Sequence, residues 1–202
     1  YEVDMEHESV KELFMMEREA GCIGFCGDML MAVGSDRLYL YDLEKQQPAE
    51  QDAAADDFIK RLLSDKTVRY TGGGYPLVVF GGEDNIVYIA CVEGLYRHAL
   101  GGSTMEQIID GALSTFGDNG SIYAAKALDQ QEFLVQFDSD GGLVRYYFDE
   151  TAASMPEKEI RIYSLEDNSS VRQAVTSFKK SHTDIYVRYE TGTGSGDGVT
   201  KE

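Results

Sequence analysis

The stretch 157–190 constrains the fold more than any other part of the chain, because it has the pattern of a strand, a helix and a second strand. Apolar and polar residues alternate around Ile160 and Ile162, and the alternation resumes after Ile185. The helix predicted between them has an apolar face made of Val171, Ala174, Val175 and Phe178. Two strands joined in this way pair in parallel, and parallel strands normally have further strands beside them. We therefore predict a βαβ unit of a larger sheet and expect the chain to be part of a longer protein.

The ends of the predicted helix carry their own signals. Ser170, followed three residues later by Gln173, has the form of a capping box, which predicts that Ser170 caps the helix. The helix is expected to end near Lys180. Basic residues there, together with the following His182, suit the negative end of a helix dipole.

The acidic turn and helix EDNSSVRQAV, the strand DIYVRYE and a glycine-rich acidic segment leading to GVTKE resemble the opening of the extracellular solute-binding proteins of ABC importers. The resemblance is to large lipoproteins of anaerobic gut Firmicutes, in which a β-repeat region precedes the binding domain. It implies a non-enzymatic receptor for sugars or oligosaccharides that works with the importer's membrane subunits and uses no cofactor. It also implies an extracellular, lipid-anchored protein whose signal segment is not in this chain. The alternative is an ordinary βαβ crossover, which occurs in any α/β protein.

Three polar residues directly follow the first predicted strand of this unit: Glu166, Asp167 and Asn168. In open α/β sheets, ligands bind outside the carboxyl ends of the strands. We therefore predict that these three are substrate-binding residues. The alternative is that they only lead the chain into the helix cap. No catalytic residue and no metal ligand is predicted.

The part of the chain before this unit repeats a pattern of an apolar run, a short turn with Gly or Asp, and an alternating run rich in Tyr. The three copies lie at 28–43, 84–100 and 131–149. Their turns are centred on Ser35, Glu93 and Asp140 and predict three β-hairpins. Each hairpin is preceded by an apolar strand candidate, at 22–25, 76–80 and 121–125.

The segments that open the three repeats begin at positions 9, 57 and 103, which are 48 and 46 residues apart. Propeller blades of four strands repeat every 40 to 50 residues or so. We predict a mainly β fold, with a partial, propeller-like array of about three antiparallel blades in 1–155, followed by the first βαβ unit of a truncated binding domain in 156–202. A closed propeller needs four or more blades, so either further blades precede this chain or the array pairs with other chains. The alternative makes 9–18, 56–65 and 104–116 helices, in an α+β or βαββ array.

The net charge limits the classes of partner. The chain has 36 acidic and 18 basic residues, which gives a formal charge of −18. Nucleic acid and anionic membrane surfaces would repel such a chain, so neither is expected as a partner. No run of apolar residues approaches the 18 or so that a membrane-spanning helix requires.

Residue types that usually carry chemistry are sparse. The three histidines, His7, His98 and His182, are predicted to be surface or capping residues. The three cysteines, Cys22, Cys26 and Cys91, are predicted to be buried free thiols, with a disulfide or half a metal site as the alternatives. The tyrosine pairs Tyr39 with Tyr41 and Tyr146 with Tyr147 could stack on sugar rings, but cross-strand packing is the favoured interpretation.

Three functions remain open from the sequence. The first is the solute-binding component of an importer, and the second is a propeller-like module that binds a protein or a glycan. The third is an enzyme such as a propeller glycosidase, which would need a converging set of carboxylates. We also expect self-association through the βαβ unit, because an exposed strand edge lies beside an apolar helix face.

Overall fold

The part of the chain that the structure describes is mainly β, with several antiparallel sheets and two helices. The structure is a computed structural model, and it describes residues 1–16, 21–64, 76–117, 121–137, 142–149, 158–166, 168–182 and 184–193. The strands and helices of its first half are β1 Glu2–Asp4, β2 Ser9–Lys11, β3 Cys22–Cys26, β4 Met29–Val33, β5 Leu38–Asp42, β6 Gln47–Pro48 and α1 Ala53–Ser64. The second half contains β7 Leu77–Gly81, β8 Ile86–Cys91, β9 Gly94–Ala99, β10 Glu106–Asp110, β11 Ile122–Ala127, β12 Glu132–Phe137, β13 Leu143–Tyr147, β14 Lys158–Glu166, α2 Ser169–Ser181 and β15 Ile185–Thr193.

Each predicted repeat forms its own antiparallel sheet, as expected. Sheet 1 has the strand order β3-β4-β5-β6, sheet 2 has the order β7-β8-β9-β10, and sheet 3 has the order β11-β12-β13. The hairpin turn at Ser35 joins β4 to β5, and the turn at Glu93 joins β8 to β9. Asp140, the predicted centre of the third hairpin, lies outside the described residues, but β12 and β13 on either side of it pair antiparallel. A small separate hairpin, β1 with β2, precedes the three sheets.

The first strands of the three sheets lie side by side, with β7 between β3 and β11. Close approach of β3 to β7 depends on glycine, because a Cβ at Gly24 would lie 2.6 Å from the carbonyl oxygen of Val79. A Cβ at Gly81 would in turn collide with the backbone of Phe25 and Cys26. The contacts advance in the same direction along both strands, so β3 and β7 run parallel.

Two apolar cores fill the spaces between the sheets, and sheet 2 contributes to both. The core between sheets 1 and 2 contains Met31, Val33, Leu38, Leu77, Val79 and Ile89, and α1 adds Ala55, Ile59 and Leu62. The core between sheets 2 and 3 contains Phe80, Tyr88, Leu95, Phe116, Phe133, Val135 and Phe137. Successive residues of a strand point to opposite faces, so Val79 and Phe80 enter different cores.

The alternative prediction, helices in the three segments that open the repeats, is confirmed in one of these segments. The segment 53–64 is α1, whose buried residues Ala55, Ile59 and Leu62 recur at helical spacing. The segment at Ser9 is instead the short strand β2, and the segment at Glu106 is β10, the edge strand of sheet 2. A closed propeller is not found among the described residues, so the propeller-like arrangement stays a prediction.

The βαβ unit forms as predicted, since β14 and β15 pair in parallel on either side of α2. Its helix is capped two residues earlier than expected. Asn168, not Ser170, is the N-cap, and its Oδ1 accepts hydrogen bonds from the backbone N–H groups of Ser170 and Val171. Asparagine is among the best N-cap residues because its short side chain reaches these unpaired donors. At the other end, His182 is the C-cap and donates its backbone N–H to the carbonyl of Phe178.

Candidate functional site

Two of the three predicted solute-binding residues, Glu166 and Asn168, lie at the carboxyl end of β14, where the strand passes into α2. Glu166 is the last residue of β14, and its side chain is exposed. Asn168 is also exposed, but its side-chain oxygen caps the helix. Asp167 lies outside the described residues. Of this set, Glu166 therefore offers a carboxylate to solvent, whereas the acceptor of Asn168 already has two partners.

The hydroxyl group of Tyr189 holds this turn to the neighbouring strand. It accepts a hydrogen bond from the backbone N–H of Asn168 at 3.1 Å and donates to the carbonyl oxygen of Glu166 at 3.4 Å. The hydroxyl of Ser164 donates to the same carbonyl at 2.7 Å. The guanidinium group of Arg172 lies 5.6 Å from the centre of the Tyr189 ring. The backbone of the turn is thus fixed from both strands and from the helix.

An open apolar groove of about 500 Å³ begins beside this turn and runs between α2 and β14. It is lined by Ile160, Ile162, Asn168, Val171, Ala174 and Phe178. The helix lies over β15, where Val175 and Val187 are buried, and leaves the β14 side open. Ile160 is consequently 40% exposed. The groove is a place for apolar side chains or for the apolar face of a ligand.

The opposite face of the β14–β15 pair contains ion pairs within each strand, and the exposed side chains of Tyr163 and Leu165 lie on the same face. Arg161 lies 2.7 Å from Glu159, and Arg188 lies 2.6 Å from Glu190. Hydrogen bonding to Arg161 lowers the pKa of the Glu159 carboxyl. Both pairs are exposed, so they contribute little to stability.

A buried polar cluster, which the sequence did not predict, joins α1 to sheet 2. His98 is almost fully buried, which corrects its interpretation as a surface residue. Its Nδ1 donates to the carbonyl oxygen of Thr104 at 2.7 Å, and its Nε2 donates to Asp52 at 2.8 Å. The sequence did carry a sign of this burial, because His98 lies two residues after Tyr96 in β9 and both side chains therefore point to the same, inward face.

Asp52 is the centre of this cluster and directly precedes α1. One carboxylate oxygen accepts from the backbone N–H of Ala55 at 3.0 Å, and the other accepts from Gly101 at 2.8 Å and from His98. Burial raises the pKa of the Asp52 carboxyl, but these hydrogen bonds outweigh burial, and the net pKa lies below its ordinary value of 3.8. Asp52 precedes a run of three alanines, which is a recognisable helix-start signal.

A second polar contact holds the other end of α1 against the β8–β9 turn. Arg61 donates to both oxygens of Glu93, at 3.0 and 2.9 Å. The hydroxyl of Tyr96 donates to the same carboxylate at 3.1 Å, and burial together with the Glu93 charge raises the pKa of Tyr96 to about 12. Arg61 and Glu93 are paired with each other, so this cluster is best explained as a contact that fixes the end of α1 against the β8–β9 turn.

The aromatic pairs and the thiols mostly serve packing. Tyr41 is buried under Phe14, with ring centres 6.3 Å apart, which supports cross-strand and local packing over sugar stacking. Tyr146 packs against Phe116 at 5.1 Å. Burial raises the pKa of two thiols to about 11, those of Cys22 and Cys91. Cys26 and Cys91 are buried free thiols as predicted, and Cys22 is half-buried.

Two other kinds of feature are absent from the described parts of the chain. Those parts contain no group of three or more His, Cys, Asp or Glu residues able to hold a metal ion. Neither α1 nor α2, the helices of the described segments, is long and apolar enough to cross a membrane.

Comparison with known proteins adds little about function. No family model and no curated protein matches the chain. The computationally designed Ika4 protein is similar over 69% of this chain and 80% of that protein, at 13% identity and a TM-score of 0.32. The extracellular domain of BT4673 from B. thetaiotaomicron is similar in two crystal structures, at 16% identity and TM-scores of 0.34 and 0.30. This chain covers only 18% and 16% of those two chains. TM-scores this low do not establish a common fold.

Proposed function

We propose that this chain is part of the non-enzymatic, extracellular solute-binding component of an ABC importer. In this proposal, residues 1–155 are an accessory, propeller-like region and residues 156–202 begin the binding domain. The cargo is a sugar or an oligosaccharide, and the partners are the importer's membrane subunits. The full-length protein is anchored to the cell surface by a lipid. The parallel β14-α2-β15 unit with its open apolar groove is the observation that carries the proposal.

The groove supports the proposal because a parallel pair of strands is not a complete structure. Parallel sheets occur almost only with both faces covered and with several strands side by side. Here α2 covers β15, whereas Ile160 and Ile162 of β14 remain beneath an open groove. A further strand and helix next to β14 would bury these residues together with Val171 and Phe178. Such an addition produces the open α/β sheet in which the turn after β14 lies at the ligand-binding edge.

The stacking of sheets 1, 2 and 3 supports the propeller-like part of the proposal. Their first strands lie side by side with β7 in the middle, and each sheet is an antiparallel meander. Propeller blades have this form, with their first strands around a central axis. Glycines at the contact of β3 with β7 allow the close approach that such an axis requires.

Solute binding by a protein extended through the coding sequence that follows Glu202 tests this function. We expect isothermal titration with mono- and oligosaccharides to detect binding by the extended protein and none by the present chain. Glu166→Gln should weaken that binding at least tenfold, because Glu166 lies at the carboxyl edge. Glu159→Gln is the matched control, since Glu159 is exposed near the amino end of the same strand. A stop codon directly after Glu202, no binding to the panel, or equal losses in both variants would overturn the proposal.

A second candidate is a protein- or glycan-interaction module built from the sheets alone. The exposed apolar residues Ile23 and Phe25 of β3 favour it, because a β-sheet face with large apolar side chains in water is a common mark of an interaction surface. Binding of the sugar panel by residues 1–155 alone would favour this candidate over the receptor.

A further inference from the structure

The two ring nitrogens of His98 both face oxygen atoms that accept hydrogen bonds. Nδ1 lies 2.7 Å from the carbonyl oxygen of Thr104, and Nε2 lies 2.8 Å from Oδ2 of Asp52. A carbonyl oxygen and an ionised carboxylate have no hydrogen to donate, and a neutral imidazole carries a hydrogen on just one of its nitrogens. Both hydrogen bonds therefore exist together only if both nitrogens of His98 carry hydrogens.

The surroundings of Asp52 favour its carboxylate form. Burial opposes the negative charge, but the backbone N–H groups of Ala55 and Gly101 and the ring of His98 all donate to the carboxylate. These donors outweigh burial, so the pKa of the Asp52 carboxyl lies below its ordinary value of 3.8. Asp52 is an anion at neutral pH, and a cationic His98 beside it makes the buried pair neutral overall.

The strands around His98 bring no other charge to its ring among the described residues. The side chains of His98 and Asp52 are 0% and 2% exposed, so solvent is excluded from the pair. Val87 is the residue of β8 that lies opposite His98. Arg97 is adjacent to His98 in β9, so its side chain points to the other face, where it pairs with Glu106.

The helix α1 brings a second acid close to the pair. The charge of Asp52 raises the pKa of the Asp56 carboxyl, after burial, which is the largest cause of that shift. One oxygen of Asp56 accepts a hydrogen bond from the backbone N–H of Leu38 at 2.9 Å. Two carboxyl groups at the start of one helix favour a cation beside them, which is the charge that the His98 geometry requires.

Loss of one hydrogen from His98 breaks its contact with the loop between β9 and β10. The remaining hydrogen stays on Nε2, because a hydrogen bond to a carboxylate is about twice as strong as one to a neutral acceptor. Nδ1 then directs its lone pair at the carbonyl oxygen of Thr104, and two acceptors at this distance repel each other. Thr104 lies two residues before the start of β10, so the repulsion acts on this loop.

We propose that His98 is a buried cation whose second hydrogen holds the β9–β10 loop in place, so that this contact is a pH-sensitive switch. The folded chain holds a proton that the unfolded chain, in which a free imidazole has a pKa of about 6.5, releases near neutral pH. Raising the pH therefore opens the loop and lowers stability, whereas strong acid removes the charge of Asp52 instead. The switch depends on the fold alone and not on the proposed transport role.

Nuclear magnetic resonance of ¹⁵N-labelled protein detects the ring hydrogens directly. Spectra that correlate the ring nitrogens with the carbon-bound ring hydrogens distinguish an imidazolium from either neutral tautomer. At about pH 7.5, roughly one unit above the value of a free imidazole, we expect both nitrogens of His98 to carry hydrogens in the folded chain and a neutral ring in urea. A neutral His98 ring in the folded chain at this pH overturns the proposal, whichever nitrogen carries the hydrogen.

Amide hydrogen exchange measures the opening of the loop. The backbone N–H of Gly101, in the β9–β10 loop, donates to Asp52, and that of Gly82, in the β7–β8 turn, donates to the carbonyl of Ile86. After correction for the intrinsic effect of pH on exchange, we expect the protection of Gly101 to fall about tenfold or more between roughly pH 7 and 9.5. The protection of Gly82 should stay constant, and a constant protection of Gly101 would also overturn the proposal.

Two variants connect the loop to the histidine. In His98→Gln the new side chain does not titrate, so the fall in Gly101 protection with pH should be absent. His182→Gln is the matched control, since His182 is an exposed imidazole at the C-cap of α2, and it should respond to pH as the wild type does. A response that persists in H98Q contradicts the switch. If H98Q does not fold, the ring spectra of the wild type still decide the matter.

Discussion

Replacing Asp52 by alanine removes three hydrogen bonds from the buried cluster that joins α1 to sheet 2. The backbone N–H groups of Ala55 and Gly101 lose their acceptor, and so does Nε2 of His98. Because the side chains of Asp52 and His98 are 2% and 0% exposed, water cannot easily replace the missing carboxylate. We expect D52A to be among the most destabilising single substitutions in this chain.

The size of the effect follows from these contacts. Loss of an N-cap costs about 0.5 to 2 kcal/mol. Leaving one buried polar group without its hydrogen-bond partner costs about 1 to 3 kcal/mol. The same carboxylate makes all three contacts, so the costs overlap, and we expect the free energy of unfolding to fall by about 3 to 5 kcal/mol. For a chain of this length, that loss lowers Tm by roughly 6 to 20 °C.

Thermal and urea unfolding followed by circular dichroism measures this loss, since the chain contains no tryptophan. Asp57→Ala is the matched control, because Asp57 is an exposed residue of the same helix. It should change stability by less than about 0.5 kcal/mol. In the double variant with His98→Leu, the cost of D52A should shrink, since the histidine no longer lacks its acceptor. A D52A variant within 1 kcal/mol or so of the wild type would refute the reasoning.

Three further predictions test other parts of the structure. The pKa of Asp52 is lowered in the folded state, so its carboxylate stabilises the fold above pH 3.8, and this stabilisation is lost as the pH falls through the folded-state pKa. Urea unfolding between pH 6 and 3 should therefore show a steeper fall in the free energy of unfolding for the wild type than for Asp52→Asn. Gly24→Ala should cost about 1 to 3 kcal/mol, because the new Cβ would lie 2.6 Å from a carbonyl oxygen of β7, whereas the open Gly142→Ala should be nearly neutral in the same denaturation assay. Cys22 and Cys91, with pKa values of about 11, should react with a thiol reagent at pH 8 far more slowly in the folded protein than in urea, and equal rates would contradict their burial.

The sequence by itself determined the βαβ unit and the three hairpins. Strand alternation, the helical spacing in α2 and turn chemistry at Ser35 and Glu93 are local properties, and each can be read within about ten residues. The position of Glu166 at the end of β14 followed from the same local reading. Glycine and aspartate turns also separated the three sheets correctly, because a hairpin register is fixed by its turn.

Tertiary structure decided the features that depend on residues far apart in the chain. Asp52 and His98 are 46 residues apart, and only the packing of α1 on sheet 2 brings them together and buries them. The choice between helix and strand at 56–65 was likewise ambiguous, since a short amphipathic run satisfies both periods until a core selects one. Which sheet faces stay open at Phe25 and Leu143 is also a tertiary property. Alternation shows that a strand has an apolar face, but only the stacking of whole sheets determines whether another sheet covers it.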